Sequence, residues 1–338
     1  MLTIKSYAIA MVSPFVPPAS RLPRWLLASV ALVAVGAIPV AALLAQNGPS
    51  ASFTVAETGR GYGSLQAAVD AIGDREGTVV IAPGNWNECA VQREGVVHFR
   101  AAEAGRSLLG GKACEGKAAL VLRGRGASVE GLVFADLAVE DGNGAGIRLE
   151  EGPLRVSQSW FRDSQQGILT ANGVDSELVV DKSTFTRLGT CEHSGGCAHS
   201  IYAGDYGSVT VTRTRFEQGT GGHYLKSRAA RIVVEDCSFD DANGNGTNYL
   251  IDLPNGGNGV IRGNWFVQGR DKENWSTMIA IGAEGARYSS DGLIIAENDA
   301  RLAPGLTRNP SFVADWTGDA LVIENNRLGP NISPFESR

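Results

Sequence analysis

One arrangement of apolar and polar positions recurs along most of this chain. Two apolar residues are followed by two to four mostly polar ones and then by an aromatic or aliphatic residue. It reads SVEGLVF to Phe134, LRVSQSWF to Phe161, LVVDKSTF to Phe185, VTVTRTRF to Phe216, IVVEDCSF to Phe239 and GVIRGNWF to Phe266. Weaker copies are LIIAENDA to Ala300 and LVIENNRL to Leu328, and successive copies lie 23 to 34 residues apart. Between them sits a second strand-like segment: GIRLE at 146–150, GILTA at 167–171, HSIYAG at 199–204, HYLKSR at 223–228, YLIDL at 249–253 and MIAIG at 278–282. Gly, Asn and Asp turns separate these pieces, so each repeat holds two or three short strands. A unit this small cannot bury its own apolar face and must stack on its neighbours. The Leu-x-x-Leu-x-Leu frame of leucine-rich repeats is absent, and a propeller would need about four strands per 40–50 residues. The pattern predicts an all-β chain: a right-handed parallel β-helix whose loops vary in length at one corner. SLQAAVDAI at 64–72 reads as a short amphipathic helix with Ser64 as its N-cap, placed to cover the open end of the first coil. TVVIAPGNW at 78–86 reads as the first strand and turn.

Composition fits a turn-rich solenoid, with 43 glycines in 338 residues and no Gly-X-Y period. Residues 25–45 are apolar and uncharged, long enough to cross a bilayer as a helix. Lys5, Arg21 and Arg24 precede the run, and the next charge is Glu57. Positive-inside logic keeps 1–24 in the cytoplasm and exports the chain beyond the apolar run. An uncleaved anchor at 25–45 is preferred over a cleaved signal, because no clean small-x-small site comes after it. The expected layout is then a linker at 46–52, the β-helix at 53–328 and a C-terminal tail at 329–338, on the periplasmic side of the inner membrane or secreted. The net charge of −6 falls to −9 once the three bases before residue 50 are set aside, which argues against nucleic acid as a partner. Five cysteines in an exported chain suggest disulfides with one thiol left over.

The unusual side chains concentrate at 187–231. The stretch holds three of the four histidines, His193, His199 and His223, together with Tyr202, Tyr206, Tyr224, Lys226 and Arg228. From 206 to 231 five bases, Arg213, Arg215, Lys226, Arg228 and Arg231, face one acid, Glu217, a reversal of sign that suits an acidic ligand. If Ile201 and Leu225 point inward, strand alternation sends Tyr202 outward on one coil and Tyr224, Lys226 and Arg228 outward on the next, with Asp252 following on a third. His199 and His223 begin their strands and would meet at one corner. The spacing Cys191-x-His193-x3-Cys197-x-His199 admits zinc or free thiols, but across the Gly195-Gly196 turn of an exported chain a Cys191–Cys197 disulfide is preferred. Cys89 and Cys114, in successive early coils, are the candidates for a second bridge, leaving Cys237 as an interior thiol.

SLQAAVDAIGDREGTVVIAPGNW, followed by coils ending in Asn/Asp/Ser-x-x-Phe, resembles the pectin lyase-like superfamily of right-handed β-helices over roughly 53–328. The superfamily holds lyases, hydrolases, epimerases, esterases and non-catalytic proteins, so the resemblance implies a fold more than a reaction. The hydrolase motifs are incomplete: Gly222-His223 lacks the following glycine, and Asp240-Asp241 falls in an apparent turn. The superfamily's calcium-dependent pectate lyases would want several acids near the site, and 199–231 is poor in them, which leaves a calcium site open but unsupported; no metal or cofactor is expected. The expectation is a lyase cleaving an acidic, uronic-acid polysaccharide by β-elimination, with a C5-epimerase or a non-catalytic polysaccharide-binding or structural solenoid as alternatives. Tyr202, His223, Lys226, Arg228 and His199 are the candidate catalytic residues; Tyr224, Asp252 and Arg231 are candidate substrate contacts.

Overall fold

The computed structural model describes residues 51–192 and 196–338. The expected cytoplasmic segment 1–24, the apolar run 25–45, residues 46–50 of the linker, and His193 lie outside the described residues. Among the described residues no helix is long and apolar enough to cross a membrane.

Short strands, most of three to six residues, form three sheets, and from Glu76–Ile81 onward strands pair with those three places away in the chain. The first sheet opens with the antiparallel pair Phe53–Val55 and Arg60–Tyr62 and continues with ten parallel strands from Glu76–Ile81 to Val322–Glu324. The second runs from Gly84–Trp86 to Arg327–Leu328, the third from Ala90–Gln92 to Ser333–Ser337, ten strands each. The chain therefore climbs one coil for every three strands, a parallel β-helix. The segment expected as a tail, 329–338, is partly in the solenoid: Ser333–Ser337 pairs with Ser311–Asp315 as the last strand of the third sheet.

The repeat seen in the sequence is the inner face of the second sheet. Leu109, Phe134, Phe161, Phe185, Phe216, Phe239, Phe266, Ala300 and Leu328 follow one another in register. From Phe134 to Phe266 the rings stack with centroids 4.7–5.0 Å apart, which is the strand spacing imposed on the side chains. From Gly131 onward each corner between the first and second sheets holds one left-handed residue. Gly131 and Gly263 supply it in two coils, and Gln158, Lys182, Arg213, Asp236, Glu297 and Asn325 accept it in others. The residue after each corner points inside and is polar in most coils, so it hydrogen-bonds along the solenoid. Ser183 Oγ accepts from Ser159 N, Asn264 Oδ1 from Cys237 N, Asn298 Oδ1 from Asn264 N, and Asn326 Oδ1 from Asn298 N.

The helix Leu65–Ile72 forms where the sequence predicts it, with Ser64 Oγ accepting from Ala67 N and with Leu65, Ala68, Val69 and Ile72 buried in the core. Cys89 is bonded to Cys114 and Cys191 to Cys197, which retires the zinc and free-thiol alternatives for the latter pair; Cys237 is a buried free thiol. Connections of very different length, among them 136–144, 189–200, 241–250 and 269–276, gather at the corner between the second and third sheets.

Candidate active site

In the coils beside those long loops the third sheet narrows to three-residue strands: Ile201–Ala203, Leu225–Ser227 and Ile251–Leu253. Ile201, Leu225 and Ile251 point into the core, wholly buried and in register. Alternation therefore puts Tyr202, Lys226 and Asp252 in one outward row on adjacent strands. Arg228 lies just past its strand and turns back on this row, its Nε donating to Tyr202 Oη at 2.9 Å and its guanidinium 5.8 Å from the ring centroid.

His199 and His223 each stand two residues before an inward anchor, and their rings stack at 4.9 Å, with Tyr249 of the following coil against His223 at 5.4 Å. Coils stack this closely because Gly222 has φ +59° and no side chain; a Cβ there would lie 2.1 Å from Ala198 O and 2.6 Å from His199 Nδ1. His223 N–H donates to His199 Nδ1 at 2.9 Å, so neutral His199 carries its own proton on Nε2. Burial, reinforced by Lys226, drives the pKa of His199 down to about 3. Burial first, then His199 and Lys226, drives His223 well below the ordinary histidine value. Both imidazoles are neutral at physiological pH.

Asp252 sits in the expected row but under Lys226, only 2% exposed, with Lys226 Nζ at 3.3 Å and His223 Nε2 at 3.4 Å from Oδ2. Burial raises its pKa to about 6 against the opposing pull of Lys226. It supports the lysine rather than facing a ligand. Tyr224, expected to point outward, does not: it is 1% exposed, and its hydroxyl donates to Asp241 Oδ1 at 2.8 Å. Asp241 in turn is paired with Lys272 at 3.0 Å, both side chains wholly buried, which ties down the loop carrying Glu273. Arg231, also expected beside the cluster, opens the strand Arg231–Glu235 of the first sheet, on a different face of the solenoid.

The sequence reading missed Glu284. It stands on the connection after strand Thr277–Ile281, and its carboxylate bridges the two candidate cations, Oε1 lying 2.6 Å from Lys226 Nζ and Oε2 bonded to Arg228. Burial alone would raise its pKa, but the bonds from Lys226 and Arg228 outweigh that and hold the carboxyl below its usual range. Asn255 fastens both ends of this contact, accepting from Arg228 Nη1 at 2.6 Å and donating to Gly285 O at 3.1 Å. No repeat signal could have pointed to Glu284, because the loop bearing it has no counterpart in other coils.

A cavity of about 420 Å³ opens over Tyr202, Lys226, Arg228, His199 and His223. Gly196 and Cys197 of the disulfide loop form one part of its wall and Glu273 another. The site thus joins two cations, a phenol and neutral imidazole to Glu284, the carboxylate that bridges both cations, with Asp252 beneath Lys226 and Glu273 in the wall, an arrangement able to hold an anionic group beside a proton-transfer residue.

A sequence model of the family described as a right handed beta helix region matches residues 139–298. Comparison with curated proteins finds no match. Among solved structures, an alginate lyase from Paenibacillus sp. str. FPU-7 is similar with a TM-score of 0.55 and 14% identity, over 80% of this chain and 94% of that one. A Geobacillus virus E2 protein, ORF18, aligns with a TM-score of 0.49 and 14% identity over 80% of this chain; this chain spans 55% of its length. At such identities the likeness to the lyase is one of fold. With the family match and the strand register it makes this chain a right-handed parallel β-helix with the pectin lyase-like fold, as the sequence resemblance implied.

Proposed function

We propose that this chain is an exported, polysaccharide-active β-helix protein that cleaves a uronic-acid glycan by β-elimination. The observation that carries the reading is the pairing of Tyr202 and Lys226 on adjacent strands, with Arg228 donating to the tyrosine oxygen, at the floor of an open cavity. The similar fold of an alginate lyase supports an acidic polysaccharide as the substrate class.

The substrate carboxylate displaces Glu284 and takes its seat between Lys226 and Arg228. There it gains the electrostatic stabilisation that abstraction of the neighbouring proton demands, since charge accumulates on that carboxyl group. Tyr202, as phenolate, takes the proton from C5. The C5–H electrons become the C4–C5 double bond, the C4–oxygen bond breaks, and the leaving oxygen recovers the proton from Tyr202. Arg228 makes a charge-assisted hydrogen bond to the oxygen on which negative charge rests before transfer. His199 is a hydrogen-bond donor here and not the base, because its Nδ1 lone pair is already taken by His223 N–H.

Glu284 also favours a second reading. A face whose cations are already neutralised can exchange one carboxylate for another without chemistry, as a binding protein would. Absorbance from the conjugated double bond distinguishes the two. Incubated with alginate and other polyuronates, the protein is expected to generate this chromophore on at least one of them. Tyr202→Phe and Lys226→Ala should reduce the rate at least a hundredfold, while Glu284→Gln, which removes the competing carboxylate, lowers KM. A flat trace on every glycan defeats the lyase, and proton exchange at C5 in heavy water then separates an epimerase from a binding protein.

The two disulfides support export, and the apolar run at 25–45 is the proposed anchor or signal. The helix Leu65–Ile72 is proposed to close the first coil, since its apolar face joins the core there.

A further inference from the structure

The outward row of the third sheet continues beyond the candidate site. Tyr202 is paired with Leu169 and Leu169 with Arg148, so Arg148 lies three strands from Lys226, roughly 14 Å at the ordinary strand spacing. A second cavity, about 380 Å³, opens over Arg148, Leu169 and Lys117 and shares Tyr202, Gly196 and Cys197 with the first. The two are therefore one groove, with Gly196 and Cys197 standing on its bank. Beyond Arg148 the floor ends: the next outward residues, Val121 and Val91, are buried with Cys114 packed against them.

Arg148 is under-used by the fold. Among the described residues its Nε is buried without a hydrogen-bond partner, and the carboxylate beside it, Glu150 Oε1, is 3.7 Å away. Glu150 already accepts from Lys117 at 2.7 Å and from Arg123, and Glu115 takes up Arg123 and Lys117 as well. Three cations thus share two carboxylates. Asp141 on the far wall accepts from Asn143 N at 3.0 Å within its own turn.

We infer that Arg148, with Lys117 beside it, forms a second carboxylate subsite of the same groove, binding a uronate three sugar units along the chain from the one seated at Lys226. The inference rests on the uronate reading of the Lys226 site and sharpens it. The ligand must carry acid groups on non-adjacent units, and a tetrasaccharide is the shortest that reaches both subsites, since a pyranose repeat in an extended chain advances by about one strand spacing. The covered floor beyond Arg148 leaves no further position on that side.

The test is affinity for a ladder of oligouronates, measured by titration calorimetry on the full chain carrying Tyr202→Phe so that the ligand is not consumed. Tetrasaccharide should bind roughly tenfold tighter than disaccharide, with little further gain for hexasaccharide. Adding Arg148→Ala should abolish the gain and leave disaccharide binding unchanged; Arg148→Gln, of nearly the same length, repeats the test if the alanine variant unfolds. Adding Lys226→Ala should weaken every length. A gain that survives loss of Arg148, or an equal loss on the disaccharide, overturns the second subsite while leaving the first intact. Unchanged binding in the Lys226 variant overturns the uronate reading and the subsite with it.

Discussion

Two imidazoles sealed against each other at the site carry a consequence for the whole fold. Histidine in the unfolded chain binds a proton as pH falls through about 6.5. Folded His199 does not do so until about 3, and folded His223 is likewise held well below its ordinary value. Below 6.5 the unfolded state therefore binds more protons, and stability falls with pH. Asp252 acts in the opposite sense: raised to about 6, its ionised form costs stability above that pH and the cost is relieved on acidification. His199 alone should cost about 2 kcal/mol between pH 7.5 and pH 5, His223 adding to it and Asp252 offsetting part. Urea denaturation at the two pH values should show the net loss, and His199→Gln should remove its own share. Equal stability at both pH values in the wild type would show that the imidazoles are not held neutral.

At the scale of the element, the interior polar ladder is as much a part of the coil as the phenylalanine stack. Asn298 accepts from Asn264 N and Nδ2, both at 3.0 Å, and donates to Ile261 O at 3.0 Å and Asn326 Oδ1 at 2.9 Å. Asn298→Ala strands buried partners on both neighbouring coils and should cost about 3 kcal/mol in chemical denaturation. Asn298→Ser, which copies the residue used at position 183, should cost less. Strand length also decides how far the sequence could be read. Inward Ile201 and Leu225 fixed the register of Tyr202, Lys226 and Asp252, because alternation holds over three residues. It holds no further: Tyr224 precedes its strand and turns into the core, and by Arg231 the chain has passed a corner into another sheet. The phenylalanine period was legible because every coil repeats it. Glu284 and Arg148 were not singled out, the one on an unrepeated loop, the other separated from the cluster in sequence but not across strands.

A solenoid is held together coil by coil, so its stability follows the quality of each nearest-neighbour interface and not its distance from a common centre. Those interfaces are unequal along this molecule. Between Phe134 and Phe266 every coil contributes a stacked ring and a wholly buried aliphatic residue on the third sheet. Toward the C-terminus the ring gives way to Ala300 and Leu328, and the last strand, Ser333–Ser337, is exposed along its whole length. Strand Val322–Glu324 of the first sheet has no fully buried residue either. The candidate site, on coils bearing Tyr202, Lys226 and Asp252, thus lies in the most tightly stacked part of the solenoid, where a row of side chains can be held still for a proton transfer. Hydrogen exchange should reproduce this gradient. Amides of 201–203, 225–227 and 251–253 should be among the last to exchange, and those of 322–337 should exchange fastest, through fraying that does not require global unfolding. Uniform protection along the solenoid would mean that the coils unfold together and that the site gains nothing from its place in the stack.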